Sequence, residues 1–319
     1  MTLKLILPTE FSAELKPQLP TDVDVVWADT EGNFEGDPQD AEVYFNWYYL
    51  KQSTLQKVLT AAPDLRWHQT PSAGVNHILT PDYLKRKIVL TNGAGTFTVP
   101  IAEFVMAYIL THTKCLPQLY TLQTQRHWQR SIDFPFQEID GASMLIIGAG
   151  NIGQAIAQRA NAFGMRVWGS RRHPQSMSGF EKVVGGDEWR SLLPEADYVV
   201  LATPLTPETR GLFDESALRS MRSTAYLINI ARGAVVDESA LLQALQNGWI
   251  AGAGLDTFET EPLPADSPFW TLPNVFITPH CSGMTPRITE RTIALFLDNL
   301  DRYRSGQPLW NVVNQTLGY

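Results

Sequence analysis

The chain is poor in cysteine: Cys115 and Cys281 are its only two. Two cysteines cannot build a disulfide framework, and no Cys-x-x-Cys pair offers a zinc or dithiol site. A reducing, cytoplasmic setting and no metal centre are therefore expected. Basic residues are outnumbered as well, 25 Lys and Arg against 33 Asp and Glu, for a formal net charge of −8. Binding to a phosphate backbone needs a basic footprint, so nucleic acid is not an expected partner. Long apolar runs are also missing. The stretches Val99–Leu110 and Met144–Ile147 fall far short of a membrane span, and Glu103 interrupts the first. The opening Met1–Pro8 carries one lysine and a short apolar run stopped by Pro8, and reads as a strand rather than an export signal. No repeat of solenoid length is present.

What remains is an ordinary globular composition, 44% hydrophobic and 18% charged. The 319 residues suggest two domains. The first hundred residues alternate short β-rich runs with helical ones. Lys4–Leu7, Val23–Trp27, Val43–Trp47, Arg66–Thr70 and Ile88–Thr91 read as strands, and Ser53–Ala62 as a helix. One long helix is expected from Pro100 towards Gln125, since proline suits a first helical turn. Six further strands follow, at Met144–Ile147, Arg166–Gly169, Tyr198–Ala202, Ala225–Ile230, Ala253–Asp256 and Val275–Thr278. Helices are expected between them at Ile152–Phe163, Glu188–Leu193, Glu215–Met221 and Glu238–Asn247, with a last one at Arg287–Tyr303. Strands joined by helices make an α/β protein with a doubly wound parallel sheet.

Gly148-Ala149-Gly150-Asn151-Ile152-Gly153 follows an apolar strand and opens a helix. In that setting Gly-x-Gly-x-x-Gly is a dinucleotide fingerprint. Gly148 permits the tight turn, Gly150 lets backbone approach a pyrophosphate, and Gly153 lets helix and strand pack closely. The next strand ends Val167-Trp-Gly-Ser-Arg-Arg-His173, and the next carboxylate is Glu181. An NAD site would carry Asp or Glu there for the ribose 2′-hydroxyl. Ser170, Arg171 and Arg172 suit a 2′-phosphate instead, because guanidinium donates paired bonds to phosphate. NADP(H) is the expected cofactor; NAD(H) stays possible if both arginines are merely solvated.

Three polar residues follow later strands: Arg232 after Tyr226–Ile230, Glu261 in Leu255–Leu263, and His280 after Val275–Thr278. Singly each has a bland reading, as a surface pair for Asp237, a turn before Pro262, or a buried histidine. Together with Ser72-Ala-Gly-Val-Asn76, Pro204-Leu-Thr-Pro-Glu-Thr-Arg-Gly211 and Pro279-His280, they carry a resemblance. The chain resembles the D-isomer-specific 2-hydroxyacid dehydrogenase family over nearly its whole length, and is most similar in character to glyoxylate/hydroxypyruvate reductases.

The resemblance implies two Rossmann-like domains. A discontinuous substrate domain would span 1–98 plus 286–319, and a dinucleotide domain 99–285, with the site in a cleft that closes on binding. It implies that Arg232 binds the carboxylate of a 2-oxo acid and polarises its ketone. It implies that His280 donates the proton, with Glu261 orienting the ring and stabilising the imidazolium. It implies substrate contacts from the Ala73, Gly74 and Val75 amides. Cofactor contacts are implied at Asn151, Ile152, Thr203, Pro204, Thr209, Ile230 and Ala231, and at Asp256 for the nicotinamide amide. A homodimer is implied too, with Trp128 either near its interface or ordinary core. His68, His77, His112, His127 and His173 lack such settings and read as structural.

Some positions depart from the family pattern. Asn76 stands where many members have Asp. Cys281–Arg287 lacks the commoner Gly-Gly pair and acidic residue, and Val99–Glu103 lacks a hydroxyl. These leave the substrate side chain open. Two alternatives remain: an NAD-dependent dehydrogenase of 3-phosphoglycerate or D-lactate type, and a dinucleotide-sensing binding protein.

Overall fold

In the computed structural model, residues 2–48 and 50–318 are described. They gather into two compact units, residues 1–97 with 285–319, and residues 98–284.

The first unit carries six strands: β1 (Leu3–Pro8), β2 (Val23–Ala28), β3 (Phe34–Glu35), β4 (Val43–Phe45), β5 (Trp67–Gln69) and β6 (Val89–Thr91). Their order is β3-β2-β1-β4-β5-β6. All neighbours are parallel except β2 and β3, which run antiparallel, so this sheet is mixed at one edge rather than wholly parallel as expected. Side chains alternate faces along a strand, and both faces here are covered. On one face Ile6, Val26, Tyr44 and Leu90 pack with Leu55, Val58 and Leu59 of the helix Gln52–Ala61. On the other, Leu5, Leu7, Val43, Phe45 and Trp67 pack with Ile293, Phe296 and Leu300.

Those last three lie on the final helix, Ile288–Arg304, at the spacing of one helical face. Phe296 stacks on Phe45 at 4.4 Å and on Trp67 at 5.6 Å. Beside them Asn299 Nδ2 donates to Gln69 Oε1 at 3.0 Å, and Asn299 Oδ1 accepts the Trp310 amide at 2.7 Å. This apolar stripe and buried amide pair explain why the end of the chain folds onto its beginning.

The second unit carries β7 (Ser143–Ile147), β8 (Arg166–Ser170), β9 (Lys182–Val184), β10 (Tyr198–Leu201), β11 (Tyr226–Asn229), β12 (Gly252–Leu255) and β13 (Val275–Ile277). Their order, β13-β12-β11-β10-β7-β8-β9, is all parallel and reverses between β7 and β10. This is the doubly wound arrangement that binds dinucleotides at its point of reversal. Every residue of β7, β10, β11 and β12 is buried. That follows from helices on both faces, where strands become continuous apolar runs.

Four expectations need correction. The single helix towards Gln125 is two, Thr98–Thr113 and Leu116–Thr124. Pro117 lacks the N–H that would bond to Thr113 and its ring opposes that carbonyl, so the chain turns at Cys115, with φ +50°. The helix expected at Glu188–Leu193 is a 3₁₀ helix, Glu188–Glu195, and contains Pro194. Strand β9 makes the second sheet seven-stranded rather than six. Trp128 is 90% exposed, so it is not core. Among the described residues no helix is long and apolar enough to cross a membrane.

His68 sits fully buried on β5, stacked on Tyr44. Its Nε2 pairs with Asn46 Oδ1 at 2.8 Å and its Nδ1 with the Tyr83 hydroxyl at 3.1 Å. An amide oxygen only accepts, so Nε2 carries the proton and Nδ1 accepts from Tyr83. Desolvation pulls its pKa down to about 3. An unfolded chain would protonate this ring below about pH 6.5, whereas the folded chain resists until far lower pH. Between those values the unfolded state binds more protons, so stability falls as pH falls. Urea midpoints measured from pH 7.5 down to pH 4.5 should therefore drop more steeply for the native chain than for His68→Gln. Parallel curves would contradict this account.

Candidate active site

The dinucleotide turn is built by close backbone approach. Gly148 follows β7 with φ +109°, and a Cβ there would lie 2.6 Å from the Ala202 backbone just after β10. Only glycine tolerates both the left-handed backbone and that approach. A Cβ on Gly153 would meet the Gly148 carbonyl oxygen at 2.5 Å, while one on Gly150 would meet only open space. The helix Asn151–Ala162 begins after Gly150 with no side-chain cap. The first amides of a helix have no intrahelical acceptor, so Asn151, Ile152 and Gly153 present N–H groups at its positive end. A turn with an open face at Gly150 and uncapped amides fits a pyrophosphate.

At the end of β8, Ser170 is buried, Arg171 half-buried and Arg172 exposed. The Ser170 carbonyl receives the Gly148 and Ala149 amides at 3.1 and 2.8 Å, which fixes this strand end beside the turn. Arg171 Nη1 reaches Met177 Sδ at 3.3 Å, a weak acceptor, and makes no ion pair among the described residues. Glu181, the nearest carboxylate in sequence, is occupied elsewhere by Arg166 Nε and Trp168 Nε1 at 3.2 Å each. Thr203 and Pro204 follow β10, and Thr209 Oγ1 closes their loop by donating to the Pro204 carbonyl at 2.6 Å.

Arg232, Glu261 and His280 all belong to this second unit. His280 Nδ1 meets Glu261 Oε2 at 2.7 Å, and the Phe258 amide donates to Glu261 Oε1 at 3.0 Å. The carboxylate is thus held at one oxygen and holds the ring with the other, leaving Nε2 for a substrate. A Cβ on Gly233 would fall 1.9 Å from the Phe258 carbonyl carbon, so glycine lets the Arg232 segment press against the Glu261 turn. Burial pushes the Arg232 guanidinium below its ordinary pKa, and the charge of Glu261 opposes that shift. Its Nη1 donates to the Ala231 carbonyl at 2.7 Å. Ile230 and Ala231 are both 6% exposed in the turn before it.

The spacing in sequence does not single out Asn229, yet it stitches this turn. Its Oδ1 accepts the Ala231 amide at 3.0 Å and its Nδ2 donates to the Arg232 carbonyl at 3.2 Å. A polar residue closing an apolar strand was the available signal. Asp256, expected at the nicotinamide amide, is 1% exposed. Its carboxylate already accepts the Thr278 hydroxyl and the Cys281 and Ser282 amides, at 2.5, 2.9 and 3.1 Å.

Ala73, Gly74 and Val75 lie in the first unit, in the loop after β5. Carbonyls make the bonds that hold this loop. Asn92 Nδ2 donates to the Ala73 carbonyl at 2.8 Å, and the Gly93 amide to the Ser72 carbonyl at 3.0 Å. The three N–H groups of Ala73, Gly74 and Val75 take no part in those bonds. Among the described residues no group of three or more His, Cys, Asp or Glu could hold a metal ion.

The family model for the D-isomer specific 2-hydroxyacid dehydrogenase NAD binding domain matches residues 106–282. A glyoxylate reductase from Korarchaeum cryptofilum is 35% identical over 286 residues, covering 88% of this chain and 80% of that protein. Two solved structures superpose on nearly the whole chain. A D-isomer specific 2-hydroxyacid dehydrogenase from Xanthobacter autotrophicus in complex with NADPH has a TM-score of 0.86 at 30% identity, covering 100% of both chains. An NADPH-dependent glyoxylate/hydroxypyruvate reductase from Sinorhizobium meliloti in complex with NADP has 0.85 at 28% identity, covering 99% of this chain and 100% of that one. With the fingerprint turn, the family match and these relatives in agreement, this chain belongs to the D-isomer-specific 2-hydroxyacid dehydrogenase family and is an NAD(P)-dependent oxidoreductase.

Proposed function

We propose that this enzyme reduces a small 2-oxo acid, glyoxylate or hydroxypyruvate, to the D-2-hydroxy acid, with NADP(H) preferred over NAD(H). The observation that carries the chemistry is the His280–Glu261 pair at 2.7 Å, anchored by the Phe258 amide. The names of the similar glyoxylate and hydroxypyruvate reductases support the substrate class.

The nicotinamide supplies a hydride when bound, and the chain does the rest. Arg232, its charge poorly solvated, would take the substrate carboxylate and polarise the adjacent ketone. The Ala73, Gly74 and Val75 amides would take the same carboxylate. His280 would give the Nε2 proton to the ketone oxygen as the carbon is reduced, forming the O–H of the alcohol. Glu261 would stabilise the imidazolium before transfer and hold its tautomer afterwards. Asp256 has about one acceptor position left for the nicotinamide amide, since a carboxylate offers about four.

His280→Ala should lower kcat by about 10²–10⁴-fold, while NADPH binding followed by fluorescence stays intact. A loss of only a few fold would sink the general-acid role.

The cofactor preference rests on Arg171, whose guanidinium donates to a thioether and makes no ion pair among the described residues. Arg171→Ala should weaken NADPH roughly ten- to a hundredfold and NADH hardly at all, in line with loss of charge-assisted bonds to phosphate. Equal losses for both cofactors would favour the NAD-dependent reading.

A homodimer completes the proposal. The helix Leu116–Thr124 buries no residue, and Tyr120, Trp128 and Phe136 are 64, 90 and 47% exposed. Exposed aromatic side chains in this stretch suit a contact face, and a second copy of the chain is the occupant the family resemblance implies. Sedimentation at micromolar concentration should give a dimer, and Trp128→Glu should shift it towards monomer. A native monomer would refute this part of the reading.

A further inference from the structure

His280 has a left-handed backbone, with φ +50°. A residue with a Cβ is strained there, and such strain persists only where the surroundings over-determine it. Here Asp256 supplies most of the contacts, beside the Thr278 carbonyl, which also accepts the His280 amide at 3.0 Å. The Asp256 carbonyl accepts the His280 amide at 2.9 Å. Asp256 Oδ1 accepts the Cys281 amide at 2.9 Å and the Thr278 hydroxyl at 2.5 Å, and Oδ2 accepts the Ser282 amide at 3.1 Å. One buried aspartate therefore touches the turn from 278 to 282 at four points, while the Leu255 carbonyl holds its start through the Thr278 amide at 2.9 Å.

Thr278 has one hydroxyl hydrogen and gives it to Asp256. Its oxygen is also in hydrogen-bond contact with the Tyr108 hydroxyl, so Tyr108 must be the donor. Tyr108 comes from the helix Thr98–Thr113, 170 residues away in sequence. Its ring lies on β12, where a Cβ on Gly254 would sit 2.6 Å from a ring carbon, and it meets Phe276 edge-on at 6.0 Å. The side chain is thus wedged, with its hydroxyl at the end of the relay. Burial and the nearby charge of Asp256 keep the phenol protonated, as a donor must be.

We propose that Tyr108 and Thr278 are positioning residues: through Asp256 they hold the turn that aims His280. The proposal rests on the reading of His280 as proton donor, and the tests separate the two.

Tyr108→Phe keeps the ring and removes only the donor. It should lower kcat for hydroxypyruvate about tenfold while both KM values stay within about twofold. Thr278→Val should lose at least as much, and Thr278→Ser should recover most of that loss. Adding Tyr108→Phe to Thr278→Val should cost little more, because the relay is already broken. Hydrogen exchange on the cofactor-free enzyme gives a readout apart from turnover. The Cys281 and Ser282 amides should lose protection in Tyr108→Phe, while those of β7 and β10 keep theirs.

In a His280→Ala background, Tyr108→Phe should change kcat by less than about twofold. A full tenfold effect there, or unchanged kcat and unchanged exchange in Tyr108→Phe itself, would overturn the proposal. If His280→Ala alone proves nearly as fast as the native enzyme, the proton-donor reading is what fails. The exchange data then still decide whether Tyr108 orders the turn.

Discussion

The buried carboxylate of Asp256 is the constraint on which the turn carrying His280 depends. A carboxylate that is 1% exposed needs hydrogen-bond donors around it, because burying an unpaired polar group is costly. The donors it finds are two amides and a hydroxyl from the turn carrying His280. Satisfying the charge and shaping the turn are therefore one event. The same logic recurs next door, where Glu261 is fixed by the Phe258 amide before it meets His280. In both cases a backbone N–H sets the position of an acid, and the acid sets the position of the histidine.

These contacts are possible because parallel strands deliver their ends to one edge. β11, β12 and β13 are neighbours in the sheet, and their carboxyl ends carry Arg232, Asp256 and His280 in that order. Chain segments from about 230 to 282 thus converge without any long-range loop having to search for its place. Glycine sets how closely they converge. With no Cβ at Gly233, the Arg232 segment rests directly on the backbone at Phe258 and Glu259. At the other side of the reversal, Gly148 lets the end of β7 touch the end of β10. Larger residues would open both seams, and Arg232 and the first amides of the helix Asn151–Ala162 would part from their neighbours.

How much of this could be read in the sequence follows from which forces leave a local trace. Strands buried on both faces become apolar runs, so β7, β10 and β11 were legible to within a residue or two. Strand β9 was not, because three residues starting with Lys182 at a sheet edge carry no pattern. Strand β3, with two residues, was beyond any periodicity. The helix break at Cys115 has no glycine to announce it, and Pro117 was its one local mark. The types and order of Arg232, Glu261 and His280 were legible. Their geometry was not, since the 2.7 Å contact depends on a turn between Phe258 and Glu261. Tyr108 was invisible for a simpler reason: a hydrogen bond across 170 residues leaves no spacing to detect.

Cofactor choice is a local problem in a chain whose overall charge is −8. At physiological ionic strength, charges beyond roughly 8–10 Å are largely screened, so a 2′-phosphate would respond to the strand end it touches and not to the acidic whole. Four charged groups bear on that end: Arg171, Arg172, Glu181 and Glu208. Glu181 is withdrawn by Arg166 and Trp168. Glu208, held low in pKa first by a hydrogen bond from Thr206, also lies within the field of Arg172 and answers part of its charge. Arg171 donates to the sulfur of Met177 and pairs with no carboxylate among the described residues. A guanidinium with a weak acceptor retains most of its capacity for paired bonds, whereas one facing a carboxylate must first give that partner up. Of the two adjacent arginines, Arg171 is therefore the better suited to phosphate, and Glu208 tempers the attraction its neighbour can offer.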